Sequence, residues 1–295
     1  MASALAALAL LGNAFTWGIS WWPFRQLQDL GVHPLWSTAL IYTFAVLVLL
    51  AVRPNAWRAF GHQPGLWILL LASGLTNVGF NWAVTVGDVV RAVLLFYLMP
   101  AWVVLLAWPL LGEKPGAAAL ARLALALTGV VIVLKSPQSP WPWPSTMADG
   151  LALMGGFCFA LTNIMLRRLH QQATSSSMLA MFAGGSLLAS LTALLGAQAA
   201  MVPALPPVQG AWTLWVGAMS LMFLAGNMGL QYGAARLSAN TTSVIMLSEV
   251  VFASASAAWL GAGELGTRTL LGGALVVLAA LLAAVPFKTQ HTPPH

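Results

Sequence analysis

The chain has 295 residues, 60% of them hydrophobic and 6% charged, with a formal net charge of +6. Soluble domains carry about 25% charged residues, so the composition excludes a water-solvated globule, and the mean hydropathy of +0.86 agrees. It reads as an integral membrane protein.

Apolar runs of the length a bilayer needs, about 17–25 residues, occur ten times: 3–23, 34–52, 66–85, 92–111, 118–134, 150–166, 178–196, 210–230, 241–260 and 269–286. The first opens without a basic stretch, which separates it from a signal peptide, and sets Asn13, Thr16, Trp17 and Ser20 on one stripe. The third spaces Ser73, Asn77 and Asn81 at i, i+4 and i+8, one helical face. The fourth holds Tyr97 and Pro100, the sixth Phe159, Thr162 and Asn163, and the eighth Ser220, Asn227 and Gln231 at i, i+7 and i+11. The ninth holds Ser248 and Glu249. Between the runs stand short, turn-rich pieces such as "RPNAWRAFGHQPG" and "GEKPG". They leave no room for a soluble domain, so function is expected within the membrane. The single cysteine, Cys158, lies in a run and excludes an intramolecular disulfide.

The basic residues orient the chain. With the N-terminus inside, one side collects Arg53, Arg58, Lys114, Arg122, Arg167, Arg168, Arg236 and Lys288, the other Arg25, Arg91, Lys135 and Arg268. This positive-inside bias places both termini in the cytoplasm. It accounts for the net charge without a nucleic-acid partner. Most Trp residues fall near predicted span ends, where amphipathic rings act as interfacial anchors.

The chain also repeats itself. "LLAWPLLGE" (105–113) returns as "SAAWLGAGE" (256–264), with Ala107, Trp108, Gly112 and Glu113 falling on Ala258, Trp259, Gly263 and Glu264. "TNVGFNWAV" (76–84) overlays "GNMGLQYGA" (226–234), pairing Asn77 with Asn227, Gly79 with Gly229 and Asn81 with Gln231. The offset is 150 for the second pair and 151 for the first, a slip assigned to the intervening loop. The expected organisation is two five-span units, 1–145 and 146–295. Five is odd, so the second unit enters the bilayer from the opposite side. Such inverted repeats are the architecture of many secondary transporters. The fold class is therefore all-α, ten transmembrane helices in two inverted-topology repeats around a central cavity.

Ten spans in two copies, the fourth of each ending Trp-x-x-x-Gly-Glu, resemble the drug/metabolite transporter superfamily and its EamA branch. Pro100 with "LLGEKPGAAALARLALALTGVVIVL", and "FTWG" (15–18), carry the likeness. The resemblance implies a cavity lined also by spans four and nine, with spans five and ten outside the transport core. Its members export amino acids, drugs and metabolites and move nucleotide sugars. The region around "YLMP" (97–100) resembles the aromatic amino-acid exporters of that family. Val251 stands where Pro100 does, so only the fourth span is expected to kink.

Two readings stand open for the polar stripes: hydrogen-bonding glue between helices, worth roughly 0.6 kcal/mol per contact, or the lining of a shared cavity. As cavity, they nominate Asn13, Trp17, Thr76, Asn77, Asn81, Tyr97, Met99, Phe159, Asn163, Asn227, Gln231 and Ser248 for substrate binding. Pro100 is nominated as pivot, and Gly79 and Gly229 as close-packing hinges. Tyr97 is read as the only tyrosine deep in a span. Thr76 and Met99 stand where a Tyr and a Trp would favour a dedicated aromatic site, so the pocket reads as broad, with Met as an adaptable wall. Glu249 is the acid placed well inside a span, at a cost of about 2.5–3.5 kcal/mol if charged. It serves as a proton-coupling site, as a contact for a substrate amino group, or as a protonated acid bonded to Ser248, Thr242 or an opposing asparagine. Asp88 and Arg91, i and i+3 at the outer mouth, read as a solvated pair or as an attractor of zwitterions. The small-residue faces Gly272/Ala280/Ala284 and Ala117/Ala121/Gly129 suit helix packing or a homodimer contact.

No Gly-x-x-x-x-Gly-Lys-[Ser/Thr] loop is present, which excludes ATP-driven transport by this chain, and no cofactor or metal is expected. His33, His62, His170, His291 and His295 all lie in loops or the tail, against a membrane-embedded enzyme. No Lys or Arg lies well inside a run, against a nucleotide-sugar carrier. The expectation is a secondary exporter of amino acids, aromatic and other neutral ones favoured, in a bacterial-type inner membrane. Its alternatives are an exporter of other small metabolites or drugs, and a channel or non-transport scaffold.

Overall fold

A bilayer offers no water to backbone N–H and C=O groups, so a spanning chain satisfies them within helices. The computed structural model of this protein, described over residues 2–86, 89–134, 144, 146–208, 210–260 and 266–284, contains no strand among those residues. Its first half runs α1 (Ala2–Asp29), α2 (Pro34–Val52), a 3-10 turn (Ala56–Gly61), α3 (Gly65–Val86), α4 (Val89–Phe96), α5 (Met99–Leu111) and α6 (Ala117–Leu134). The second runs α7 (Met147–Arg168), α8 (Thr174–Gln198), α9 (Gly210–Ala234), α10 (Ala239–Met246), α11 (Glu249–Trp259) and α12 (Thr267–Ala284). Six of these (α1, α2, α3, α7, α8 and α9) are long and apolar enough to cross a membrane by themselves. This is a multi-pass membrane protein.

The fourth and ninth predicted runs are each two helices. α4 and α10 begin and end 150 positions apart, and so do the starts of α5 and α11. At the first break Pro100 sits in the opening turn of α5, where its ring would collide with the carbonyl of Phe96 in a continuous helix. The second break corrects the expectation that only the fourth span interrupts. There the Ser248 hydroxyl donates to the Ile245 carbonyl at 2.7 Å and the Ser248 N–H donates to the same oxygen at 3.0 Å. A serine that takes a backbone carbonyl this way competes with the helix ladder, and no proline stands at this break as Pro100 does at the first. The slip from 150 to 151 is also relocated. Trp108 is ten residues into α5 and Trp259 eleven into α11, so the extra residue lies inside the half-helix and not in a loop.

The repeated motif has a physical cause where it is described. Gly112 closes α5 in the left-handed conformation at φ 72°, which glycine adopts without a Cβ penalty. Its N–H donates to Trp108 O at 2.9 Å, and the Glu113 N–H donates to Ala107 O at 3.3 Å. The first of these is the single bond of an αL cap. The turn delivers Glu113 onto other elements. One carboxylate oxygen accepts from Arg167 Nε at the end of α7, the other from the Ala239 N–H that opens α10, both at 3.1 Å. Arg167 also donates to Ala235 O at 2.8 Å. Trp108 is exposed at the same level, as expected of an anchor. Gly263 and Glu264 lie outside the described residues. Glu113→Ala is expected to destabilise by about 1–2 kcal/mol: charge-assisted bonds reach more, but these side chains are 31% and 24% exposed and solvent screens them. Thermal melting in detergent reads this as a fall of a few degrees.

The long helices pair across the two halves. α3 packs on α7 and α1 on α9, while α2 and α3 both pack on α8. Gly79 and Gly229 mark the first two crossings. A Cβ on Gly79 would lie 2.7 Å from Leu151 O, and one on Gly229 2.6 Å from Ala9 O, so neither pair of backbones could sit this close with a larger residue. α6 packs along α12 to one side, where Gly129 approaches the Gly272 carbonyl and Ala280 is buried. These small faces serve packing within the chain; Ala117 and Ala121 remain exposed.

Candidate functional site

Both helix breaks meet at one point. Tyr97 follows the last residue of α4, Glu249 is the first residue of α11, and their side chains are hydrogen-bonded, the phenol donating to the carboxylate. Glu249 thus finds Tyr97 and not Ser248, Thr242 or an asparagine. Its place in the first turn of α11 is where a helix dipole favours an anion. Both groups face a cavity enclosed by α1, α2, α3, α7, α8 and α9.

Two aromatic walls form its sides. On one, Trp17 stacks on Phe223 at 4.5 Å between ring centres, and Tyr42 contacts Phe182 at 5.3 Å and Phe223 at 6.1 Å. On the other, Phe96 lies 4.7 Å from Phe80 and stacks on Phe159 at 5.8 Å. Polar groups come from α3 and α9. Asn77 accepts from the Tyr42 hydroxyl at 2.9 Å and donates to Ser73 O at 2.8 Å; Asn81 donates to Thr38 Oγ1; Asn227 donates to Met181 Sδ at 3.3 Å. Thr162 also lines the cavity, and its buried hydroxyl has no partner in the protein. Among the described residues no Lys or Arg lines this space, and Glu249 is its acid.

The nominated residues divide. Trp17, Thr76, Asn77, Asn81, Tyr97, Phe159, Asn227 and Glu249 line the cavity. Asn13, Met99, Asn163, Gln231 and Ser248 do not, and are buried elsewhere. Asn13 reaches the sulfur of Met246 at 3.5 Å, Asn163 donates to Phe159 O at 3.1 Å, and Ser248 is spent on the α10–α11 break. Met99 is fully buried in the core, and the methionine that lines the cavity is Met181. Tyr97 is not the only deep tyrosine: Tyr42, midway along α2, is 5% exposed and lines the same cavity. Phe80, Phe96, Phe182 and Phe223 were also missed, and they supply the aromatics that Thr76 and Met99 lack. Asp88 and the side chain of Arg91 lie outside the described residues.

Residues 4–135 match the EamA-like transporter family, described under that name. The curated proteins compared give no match. A solved structure described only as the crystal structure of a protein superposes with a TM-score of 0.77, over 94% of this chain and 96% of its own, at 20% identity. That likeness speaks for the fold alone.

Proposed function

We propose that this chain is a transporter of the EamA type that moves amino acids with neutral side chains, aromatic ones favoured, across the cytoplasmic membrane by alternating access. The observation that carries the reading is the Tyr97–Glu249 pair set at the meeting of two broken helices, in a cavity with aromatic walls and no basic lining residue among those described. A carboxylate at the end of a half-helix, flanked by aromatic faces, suits an ammonium group through charge and cation–π attraction. The amides of Asn77 and Asn227 suit the rest of a zwitterion, and the walls its side chain.

The inverted-repeat reading, with units 1–145 and 146–295, is supported by the breaks 150 residues apart, by the family match covering 4–135, and by matched crossings: α3 on α7 with Gly79, α9 on α1 with Gly229. Rocking of such units around a fixed site exposes it alternately to each side. Pro100 and Ser248 then mark the two pivots, one per unit.

The test is counterflow in liposomes. Vesicles preloaded with one compound at a time are assayed for uptake of the same labelled compound, over aromatic, aliphatic, polar and charged amino acids, a nucleotide sugar and a cationic dye. Neutral amino acids are expected to exchange, with Asn77→Ala cutting uptake about tenfold through loss of one polar contact and the orphaning of Tyr42. Exchange of the dye or sugar with none of the amino acids would retain the fold and overturn the substrate class.

A further inference from the structure

A second pocket opens at the end of the bundle where α7 and α9 finish and α8 begins, lined among others by His170, Gln172, Thr174, Gln231, Tyr232 and Arg236. It is separated from the central cavity by a thin plug. The side-chain amides of Gln231, on the pocket, and Asn227, on the cavity, meet at 2.8 Å, and Met181 packs its sulfur against both. The two repeat copies differ at this point. Asn81 lines the central cavity, while its repeat mate Gln231 is shut out of it and faces the second pocket. One position in the repeat therefore lies on the cavity in one half and beyond the plug in the other, as expected of a path open at one end and closed at the other.

The chemistry of the second pocket is opposite in sign to that of the first. No Asp or Glu lines it among the described residues, and it carries Arg236 and His170. The Arg236 guanidinium lies 3.7 Å from the centre of the Tyr232 ring and donates through one nitrogen to Tyr232 O at 3.1 Å. Stacking and that bond hold the planar group in place, so little freedom is lost when another edge takes a ligand. The repeat mate of Arg236 is Val86, an exposed apolar residue, so the basic group belongs to one end of the path.

We infer that this pocket is a vestibule with a carboxylate-binding subsite at Arg236, which captures the carboxylate of a zwitterionic substrate before its ammonium group reaches Glu249. The inference rests on the transport reading above and deepens it: the substrate carries a free carboxylate as well as an amine. A fixed guanidinium offers two parallel donors to a carboxylate, and a basic mouth without acids raises the local concentration of that group.

The experiment compares Arg236→Gln and Arg236→Lys with the wild type in counterflow of labelled phenylalanine, and measures inhibition by phenylalaninamide, which keeps the amine and lacks the carboxylate. Arg236→Gln is expected to raise the half-saturating phenylalanine concentration about tenfold, the loss of one charge-assisted contact. Arg236→Lys is expected to recover part of that loss, and the inhibition constant of phenylalaninamide to stay at its wild-type value in both variants. An unchanged half-saturation in Arg236→Gln, or equal weakening of phenylalanine and phenylalaninamide, overturns the subsite while wild-type exchange upholds the transport reading. Absence of amino-acid exchange by the wild type overturns the reading and this inference with it.

Discussion

Glu249→Gln is expected to raise the concentration of amino acid needed for half-maximal counterflow about a hundredfold, with the protein still folded. Glutamine has the shape of glutamate and keeps an oxygen to accept from Tyr97, so the junction of the two broken helices survives. What it lacks is the charge. An ammonium group brought into this cavity would then face two aromatic walls and neutral amides. Removing one partner of a buried ion pair costs about 3–5 kcal/mol; Glu249 is half-buried, so the lower end applies, and every 1.4 kcal/mol is about tenfold. Tyr97→Phe is expected to do less, since it removes a donor to the carboxylate and leaves the carboxylate itself. The melting temperature in detergent separates a folding defect from a binding one. Unchanged half-saturation together with a lost pH dependence would move Glu249 from substrate contact to proton coupling, and wild-type behaviour in both would remove it from the mechanism.

Part of this site is legible in the sequence, and the division has a physical origin. A polar side chain in an apolar run is conspicuous, so Asn77, Asn81, Asn227 and Glu249 can be nominated from spacing alone. An aromatic ring in a membrane helix is not. In a soluble helix the buried face is found because the other face is polar; here one face meets protein and the other lipid, and both are apolar. Tyr42 and Phe44 stand two residues apart on α2, yet one is 5% exposed and lines the cavity while the other is 42% exposed. Nothing in "LIYTFAV" separates them. The same limit explains Phe182 and Phe223. Conversely, a polar residue announces that it needs a partner without saying which. Asn13, Asn163 and Ser248 read like cavity residues and are instead occupied by a methionine sulfur and two backbone carbonyls.

The breaks divide in the same way. Proline enforces an interruption through its own ring, so Pro100 is readable. Serine interrupts a helix only where its hydroxyl takes a carbonyl from the ladder, and most serines in spans do this without a break; Ser220 donates to Val216 O inside an unbroken α9. The Gly-Glu motif shows a third case. Its recurrence is visible along the chain, and glycine after a long helix suggests a left-handed cap. That Glu113 then bridges Arg167 and the first amide of α10 depends on elements 54 and 126 residues away.

Gly79→Val and Gly229→Val are each expected to destabilise the fold by about 3 kcal/mol, while Gly217→Ala is expected to stabilise it slightly. All three glycines lie inside helices, where glycine is intrinsically worse than alanine by roughly 0.5–1 kcal/mol. At Gly79 and Gly229 the surroundings reverse the outcome. At Gly79 the first added carbon would meet Leu151 O at 2.7 Å and the backbone of Gly155 at 3.0 Å; at Gly229 it would meet Ala9 O at 2.6 Å. Those are backbone atoms of rigid helices and cannot swing aside, so α7 and α1 must move as bodies, and overpacking of this kind costs about 1–3 kcal/mol, occasionally more. At Gly217, on the same helix as Gly229, nothing lies within 4 Å of the added carbon, so alanine brings only its better helix propensity. Melting temperatures in detergent would give the three shifts side by side. On the proposed two-unit organisation Gly79 and Gly229 are repeat mates at equivalent crossings, so their losses should be alike. A large loss at one with none at the other would mean that the two crossings are not equivalent, and would remove the main packing argument for two units rocking about a shared site.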